Sequence, residues 1–531
     1  MRCKISCMRL ISFSFCLAFA VAALGAEDPS TAIQPSWIAP HVRFLSDSTL
    51  EGRDTGTPGY QIAANYVAAQ FELLGLTPAG DNGTYFQRVP LRKSRVVPGS
   101  VSLTVDGKAL QFERDFFVHA SGNENGIDAN GPLVFVGYGV SAPKQGYDDY
   151  KGIDAHGKIV VFLAGTPASL PIDIRGWYSR PVLRIAAARE HGAAGAIMLV
   201  PPSDAATLQE HFIRQLDATS WVDENGHAHN SYIEDSLALI PKEGVASILD
   251  EQHTLSEIQE HLKSGPFSFD LHRTATLRAQ FEHADETSAN VIALLRGRDL
   301  PNEYVVYTAH LDHDGTSAFF KGDPVLHGAL DNAGGVATIL ADARAFTRGE
   351  RPRRSILFIA VTAEEKGVVG SDYFVHHPTV PHDAIVADIN CDNFLWYFPV
   401  RDVSGVGREY STLNRDFVSA AKDAGIEASE PIKIQQPLLV LSDHFSFLNG
   451  GIPAISIFNG NASGDGKRSG AEIWTDYFRN VHHTPNDSID QAIDWNAAVT
   501  ETRFAFRLGA RIANDAERPR FNGRAFFAHA P

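Results

Sequence analysis

The segment Tyr304–Gly315 reads YVVYTAHLDHDG: an apolar run, Tyr304–Thr308, that passes almost at once into a His-x-Asp array, His310 and Asp312. A short apolar run of this kind suits a strand buried on both faces, as in a parallel sheet. The same pattern recurs downstream. Ile356–Val361 runs into TAEEKG (Thr362–Gly367), and Ile385–Ile389 runs into NCDN (Asn390–Asn393). Asn290–Leu295 and Ala454–Phe458 are further apolar runs, and helical stretches such as Gly335–Ala345 and Thr412–Ala424 lie between them. Strands alternating with helices predict an α/β fold: a mostly parallel sheet flanked by helices.

Ligand sites in such sheets lie outside the carboxyl ends of the strands, so the position of the polar fragments is informative. Two more fragments belong with them, GALDNAGG (Gly328–Gly335) and VHHTPND (Val481–Asp487). Each is weak alone. His-x-Asp is common, Asp331 could simply cap a helix, and a Glu-Glu pair is usually a solvated face. Five such fragments, most of them at strand ends, point together to a metal site.

The rest of the chain reads differently. Tyr60, Ala63, Ala64, Val67, Phe71 and Leu74 recur at helical spacing and predict an amphipathic helix ending at Gly75. From about Ser100 short strands and turns take over, with Val101, Leu103 and Val105 alternating and Gly131–Val140 and Lys158–Leu163 as glycine-bounded apolar runs. His156 and His191, each beside a glycine, read as loop residues. The predicted division is 27–95 and 287–531 for one domain, interrupted by a smaller β-rich domain over 96–286. A chain of 531 residues is indeed more than one core's worth.

There are 63 acidic and 46 basic side chains, a net charge of -17, which disfavours nucleic acid and anionic membrane surfaces as partners. Arg2, Lys4 and Arg9 precede an apolar run, Leu10–Leu24, followed by Gly25 and Ala26. This predicts a signal peptide over 1–26 and a periplasmic or secreted product. Cys3, Cys7 and Cys16 fall in that leader, leaving Cys391 and no internal disulfide. No later run is long enough to span a bilayer.

Taken together, the fragments resemble the two-zinc exopeptidase family of secreted bacterial aminopeptidases and glutamate carboxypeptidase. The similarity covers about Asn290–Ala510 and the region around Arg53–Pro90, and the interrupting piece resembles a protease-associated domain. The resemblance implies two zinc ions per chain, with cobalt or manganese as substitutes, acting on peptide substrates. It implies His310, Asp331, Glu365, Asp392 and His483 as metal ligands, with Asp331 bridging. Glu364 becomes the general base and Asp312 the carboxylate that orients His310. His482 stands where the family often has tyrosine and would stabilise the transition state through its N–H. Asp392 is preferred over the more buried Asp388, and His483, directly before Thr-Pro, over His482. His327 receives no role, Cys391 reads as a small buried residue, and Asp443 and His444 in SDHFSF (Ser442–Phe447) read as shaping the pocket. These types suit zinc, which accepts imidazole and carboxylate ligands and keeps a position open. Alternatives within the resemblance are a carboxypeptidase and a single-zinc aminoacyl cyclotransferase. A non-catalytic relative would be expected to lack some of these ligands.

Overall fold

The computed structural model describes residues 28–200, 217–250 and 252–527. The leader expected over 1–26 lies outside them. Among the described residues no helix is long and apolar enough to cross a membrane.

Four strands form the centre of the larger sheet. Leu300–His310 lies between Arg354–Val361 and Ile385–Cys391, and Ala454–Asn459 follows, all parallel. Every residue of Arg354–Val361 and Ile385–Cys391 is buried, as strands covered on both faces require. Antiparallel neighbours close both sides: residues 291–295 against Arg354–Val361, and Asp402–Val406 against Ala454–Asn459. The sheet is therefore mixed, with its parallel character confined to the centre. Helices Gly334–Arg348 and Trp495–Asn514 pack together against it, while Val369–His376 and His444–Asn449 form a second pair. The helix predicted around Tyr60–Leu74 is Pro58–Leu73, with Thr57 as its cap.

A second sheet is built from residues between 102 and 281. Gly126–Val136, Ile159–Leu163, Gly195–Leu199 and Leu237–Ile240 lie side by side in parallel. It has apolar clusters of its own, one containing Val118, Phe135 and Ile197, another Val160, Phe162 and Leu239.

One strand of 28 residues, Ser268–Leu295, belongs to both sheets. Its first part pairs with Gly126–Val136, its last part with Arg354–Val361, and its middle with Phe86–Val96 in an eleven-residue antiparallel ribbon. The sequence reading recognised only its end, Asn290–Leu295. The reason lies in Glu282–Thr287, EHADET, whose polar side chains hide the strand. There the backbone pairing is supported by ion pairs, Arg92–Asp285 at 2.9 Å and Lys93–Glu286 at 3.0 Å, instead of a buried face. On the other edge of Phe86–Val96 sits Ala218–Val222, which turns back as Ala228–His229. This hairpin also meets helix Val369–His376: the Trp221 indole donates to Asp372 at 2.7 Å.

Candidate metal centre

The central strands end where the motifs lie. His310 is the last residue of its strand, Asp392 follows the end of Ile385–Cys391, and Glu364 and Glu365 follow Val361. Asp331 lies in the loop before helix Gly334–Arg348, and His483 follows helix Gly470–Asn480. All are buried or nearly so.

They meet in two clusters that share Asp331. In one, His310 Nε2 lies 3.1 Å from both an Asp331 and an Asp392 oxygen. In the other, His483 Nε2 lies 3.2 Å from Asp331 and 3.1 Å from Glu365. A single imidazole nitrogen cannot direct one N–H at two carboxylates equally, whereas lone pairs converging on a cation produce this arrangement. Buried carboxylates crowded together also need positive charge between them. The residues present therefore fit metal ions at both clusters. Asp388, by contrast, accepts the Thr308 hydroxyl at 2.9 Å and takes no part in either cluster.

The two adjacent glutamates are driven apart electrostatically. Burial pushes the Glu364 carboxyl well above its ordinary range, only partly opposed by His310. Burial pushes Glu365 the same way, but His483 and His313 outweigh it and hold the carboxylate well below its usual value. Two neighbouring carboxyls poised in opposite directions suit an acid–base group beside a permanent anion.

Several supporting residues were not recognised in the sequence. His313 Nδ1 lies 2.7 Å from Glu365, and this ring joins Asp331, Glu365 and His483 as a fourth potential donor. Asp314 lies 3.1 Å from His483 Nδ1, placing a carboxylate behind that ring. Asp487, the last residue of VHHTPND, accepts the Leu330 N–H at 3.0 Å and the Asp331 N–H at 2.9 Å, so it fixes the shared carboxylate's backbone. Ser442 of SDHFSF donates to Asp392 at 2.5 Å, and Asn393 donates to it at 2.9 Å. Asp443 and His444 are fully buried. Arg53, itself buried, donates to the Leu311 and Gly328 carbonyls at 2.9 and 3.1 Å, bracing two ligand loops at once. Gly52 before it has positive φ, and a Cβ there would stand 2.1 Å from the Gly315 carbonyl oxygen. An isolated arginine in EGRD carries no sequence signal for such a role. His313 and Asp314 were legible only as neighbours of His-x-Asp.

The structure corrects how Asp312 works. His310 Nδ1 faces the backbone oxygen of Asp312 at 3.1 Å, so the chain itself orients the ring. The Asp312 carboxylate instead accepts the backbone N–H groups of Glu364 and Glu365 at 3.1 and 3.3 Å, and the Thr55 hydroxyl at 3.1 Å. The strand ends at His310, and the turn that follows brings the carbonyl two residues on to the ring. His482 stacks on His483, with centroids 3.8 Å apart, and its Nε2 is 3.1 Å from Asp331. His327 bonds Ser46 and Asp323 away from both clusters. Cys391 is buried, and its carbonyl accepts the Asn332 amide at 2.9 Å.

A cavity of about 270 Å³ opens onto the clusters. Its floor includes Asp331, Glu364, Glu365, Asp392, His482 and His483. Leu438, Val440, Leu441 and Phe478 contribute apolar lining, and Asp217, Thr219, Asn230, Tyr232 and Ile233 line it from residues 217–233.

Residues 290–507 match peptidase family M28. Aminopeptidase NAALADL1 of Mus musculus is 26% identical over 223 residues, covering 41% of this chain and 26% of that protein. Leupeptin-inactivating enzyme 1 of Streptomyces exfoliatus is 29% identical over 238 residues, covering 42% and 49%. The match thus spans no more than about half the length of these relatives. Among solved structures, an aminopeptidase from Aneurinibacillus sp. strain AM-1 superposes with a TM-score of 0.54 at 19% identity, covering 92% of this chain and 97% of that one. This likeness shows a shared fold over nearly the whole chain, the second sheet included.

Proposed function

We propose that the protein is an exported two-zinc aminopeptidase that removes apolar residues from the N-termini of peptides. In this reading residues 96–286 act as a protease-associated-like insert. The observation that carries it is the pair of imidazole–carboxylate clusters joined by Asp331, with Glu364 beside them at the floor of a cavity. His310, Asp331 and Asp392 would hold one ion, and Asp331, Glu365 and His483 the other, with His313 in reach of the second. When bound, the ions supply Lewis acidity and make water acidic enough to attack at neutral pH. Glu364 takes the proton from the attacking water on its carboxylate and returns it to the departing amine. His482, in the cavity floor with its Nε2 turned to Asp331, would offer the N–H of its other ring nitrogen, when the ring is protonated, to the charge that develops on the scissile carbonyl.

Two features favour an amine over a carboxylate as the anchoring group. The described cavity lining is rich in carboxylates and contains no arginine. Its lysine, Lys366, is already engaged by Asp54 at 3.0 Å and Asp314 at 3.3 Å. The apolar wall of Leu438, Val440, Leu441 and Phe478 suits an aliphatic or aromatic first side chain.

The test pairs elemental analysis of the purified protein with leucine and phenylalanine anilides, free and N-acetylated. At least two zinc ions, two of them lost in Asp331→Ala, and cleavage of only the free amines are expected. Preferential cleavage of N-blocked dipeptides with a free carboxylate would make it a carboxypeptidase. A single zinc with cyclisation of N-terminal glutamine would make it a cyclotransferase.

A further inference from the structure

Outside the peptidase centre, the Trp221 hairpin carries a second set of metal-ligating side chains. His227 and His229 are two residues apart as the chain re-enters the strand Ala228–His229, so their side chains share one face. Glu234 meets both: its Oε1 is 3.1 Å from His227 Nε2 and 3.6 Å from His229 Nδ1. Zinc bonds of about 2.0–2.1 Å in tetrahedral geometry put neighbouring donor atoms roughly 3.3 Å apart. The two measured separations bracket that value. The three donors belong to one group whose ligand atoms all lie within 4.8 Å of one another.

The surroundings are built for a metal-bound imidazole. The far nitrogen of His229, Nε2, is 3.4 Å from Asp223 Oδ2, the carboxylate–histidine arrangement that fixes the tautomer of a liganding ring. Asp223 is itself held, accepting the backbone N–H groups of Asn225 at 2.9 Å and His227 at 2.8 Å. Ala228, between the histidines, is gripped by both ends of the Asn123 amide at 2.7 and 2.8 Å. His229 stacks on Trp221 with centroids 4.2 Å apart.

We propose that His227, His229 and Glu234 form a third metal site, separate from the peptidase centre, that binds a borderline divalent cation such as Zn²⁺ and leaves one position for water. The position of the site gives it a consequence. Asn230, the residue after His229, donates to the Thr219 carbonyl at 2.9 Å and to the Lys366 carbonyl, next to Glu365, at 2.8 Å. An ion at the hairpin therefore stiffens the segment that forms one wall of the cavity.

The full-length protein is dialysed against zinc-buffered solution and its metal content measured. His227→Ala/His229→Ala should carry one zinc fewer than its parent, both in the wild type and in an Asp331→Ala background whose peptidase centre is disabled. The second background keeps the result independent of the proposed catalytic function. Asp223→Asn should weaken zinc at this site by about 10- to 100-fold while leaving both rings in place. If the double variant does not fold, the more exposed His227→Ala alone reads the same loss in a zinc titration. Equal zinc content with and without the two histidines, or unchanged affinity in Asp223→Asn, would mean that the cluster is a set of histidine–carboxylate ion pairs and overturn the proposal.

Discussion

The two walls of the cavity are assembled by different means. The floor comes from loops leaving parallel strands, and backbone hydrogen bonds fix them: Asp312 on the N–H groups of Glu364 and Glu365, Asp487 on those of Leu330 and Asp331. Another wall belongs to a hairpin that pairs with the edge of Phe86–Val96 and meets the residues next to the candidate centre through side chains, Trp221 to Asp372 and Asn230 to Lys366. Chemistry thus rests on the part whose geometry the sheet dictates, and access on a part that side-chain bonds tether. Substitutions on the two sides should fail in different ways.

The largest effect is expected at Glu364. Glu364→Gln keeps shape and cavity but cannot accept a proton, so kcat should fall by about three orders of magnitude or more with metal content retained. Glu365→Gln, one position on, should lower metal occupancy instead. Normal turnover in metal-loaded Glu364→Gln would remove the distinction drawn between the two glutamates. Next comes Asp312→Ala, which frees the Glu364–Glu365 turn without touching a ligand. Metal affinity or kcat/KM should drop roughly 10- to 100-fold. An effect confined to KM would place Asp312 with the tether and not the floor.

On the hairpin side, Asn230→Ala removes the bond to the Lys366 carbonyl. A net hydrogen bond is worth about 1 kcal/mol, so a KM rise of about fivefold with kcat nearly constant is expected from steady-state kinetics. A collapse of kcat would show that the hairpin helps set the catalytic geometry.

The smallest effect on turnover concerns Glu501, buried under the sheet with its carboxylate accepting the Trp396 indole and the Asn459 amide. Burial pushes its carboxyl up to about 8. Because the folded value lies above the unfolded one, the folded chain holds the proton more tightly. The associated stability is full below about pH 4.5 and is lost as pH rises towards 8. Glu501→Gln should match the wild type near pH 4 and exceed it by on the order of a few kcal/mol at pH 9, read from denaturant melts. Parallel pH profiles for the two proteins would contradict this.

How much of this was visible in the sequence follows from the same physics. Central strands such as Tyr304–Thr308 and Ile385–Ile389 were legible because both of their faces are buried. Candidate ligands at their ends were legible because His-x-Asp and Glu-Glu are local patterns. The ribbon of Phe86–Val96 with Ser268–Leu295 was hidden because pairing, not burial, maintains its polar middle. Arg53, Asp487 and Ser442 were missed as functional groups because what matters is the backbone or side chain they meet far along the chain. The direction of the flanking strands at residues 291–295 and Asp402–Val406, antiparallel to the centre, was not legible because composition carries no sign of direction.

The long ribbon also sets a timetable for synthesis. Phe86–Val96 must wait for partners about 190 residues further along the chain. At roughly 5–20 residues per second, translation delivers them after about 10–40 s. Meanwhile the second sheet, apart from the contribution of Ser268–Leu295, emerges complete with its own apolar clusters and can condense early. Val89 and Leu91, fully buried in the finished protein, stay uncovered on the nascent chain during that interval. Newly made protein is therefore most prone to aggregate before residue 295 is reached, and a chaperone that shields the first hundred residues would raise the yield of native protein.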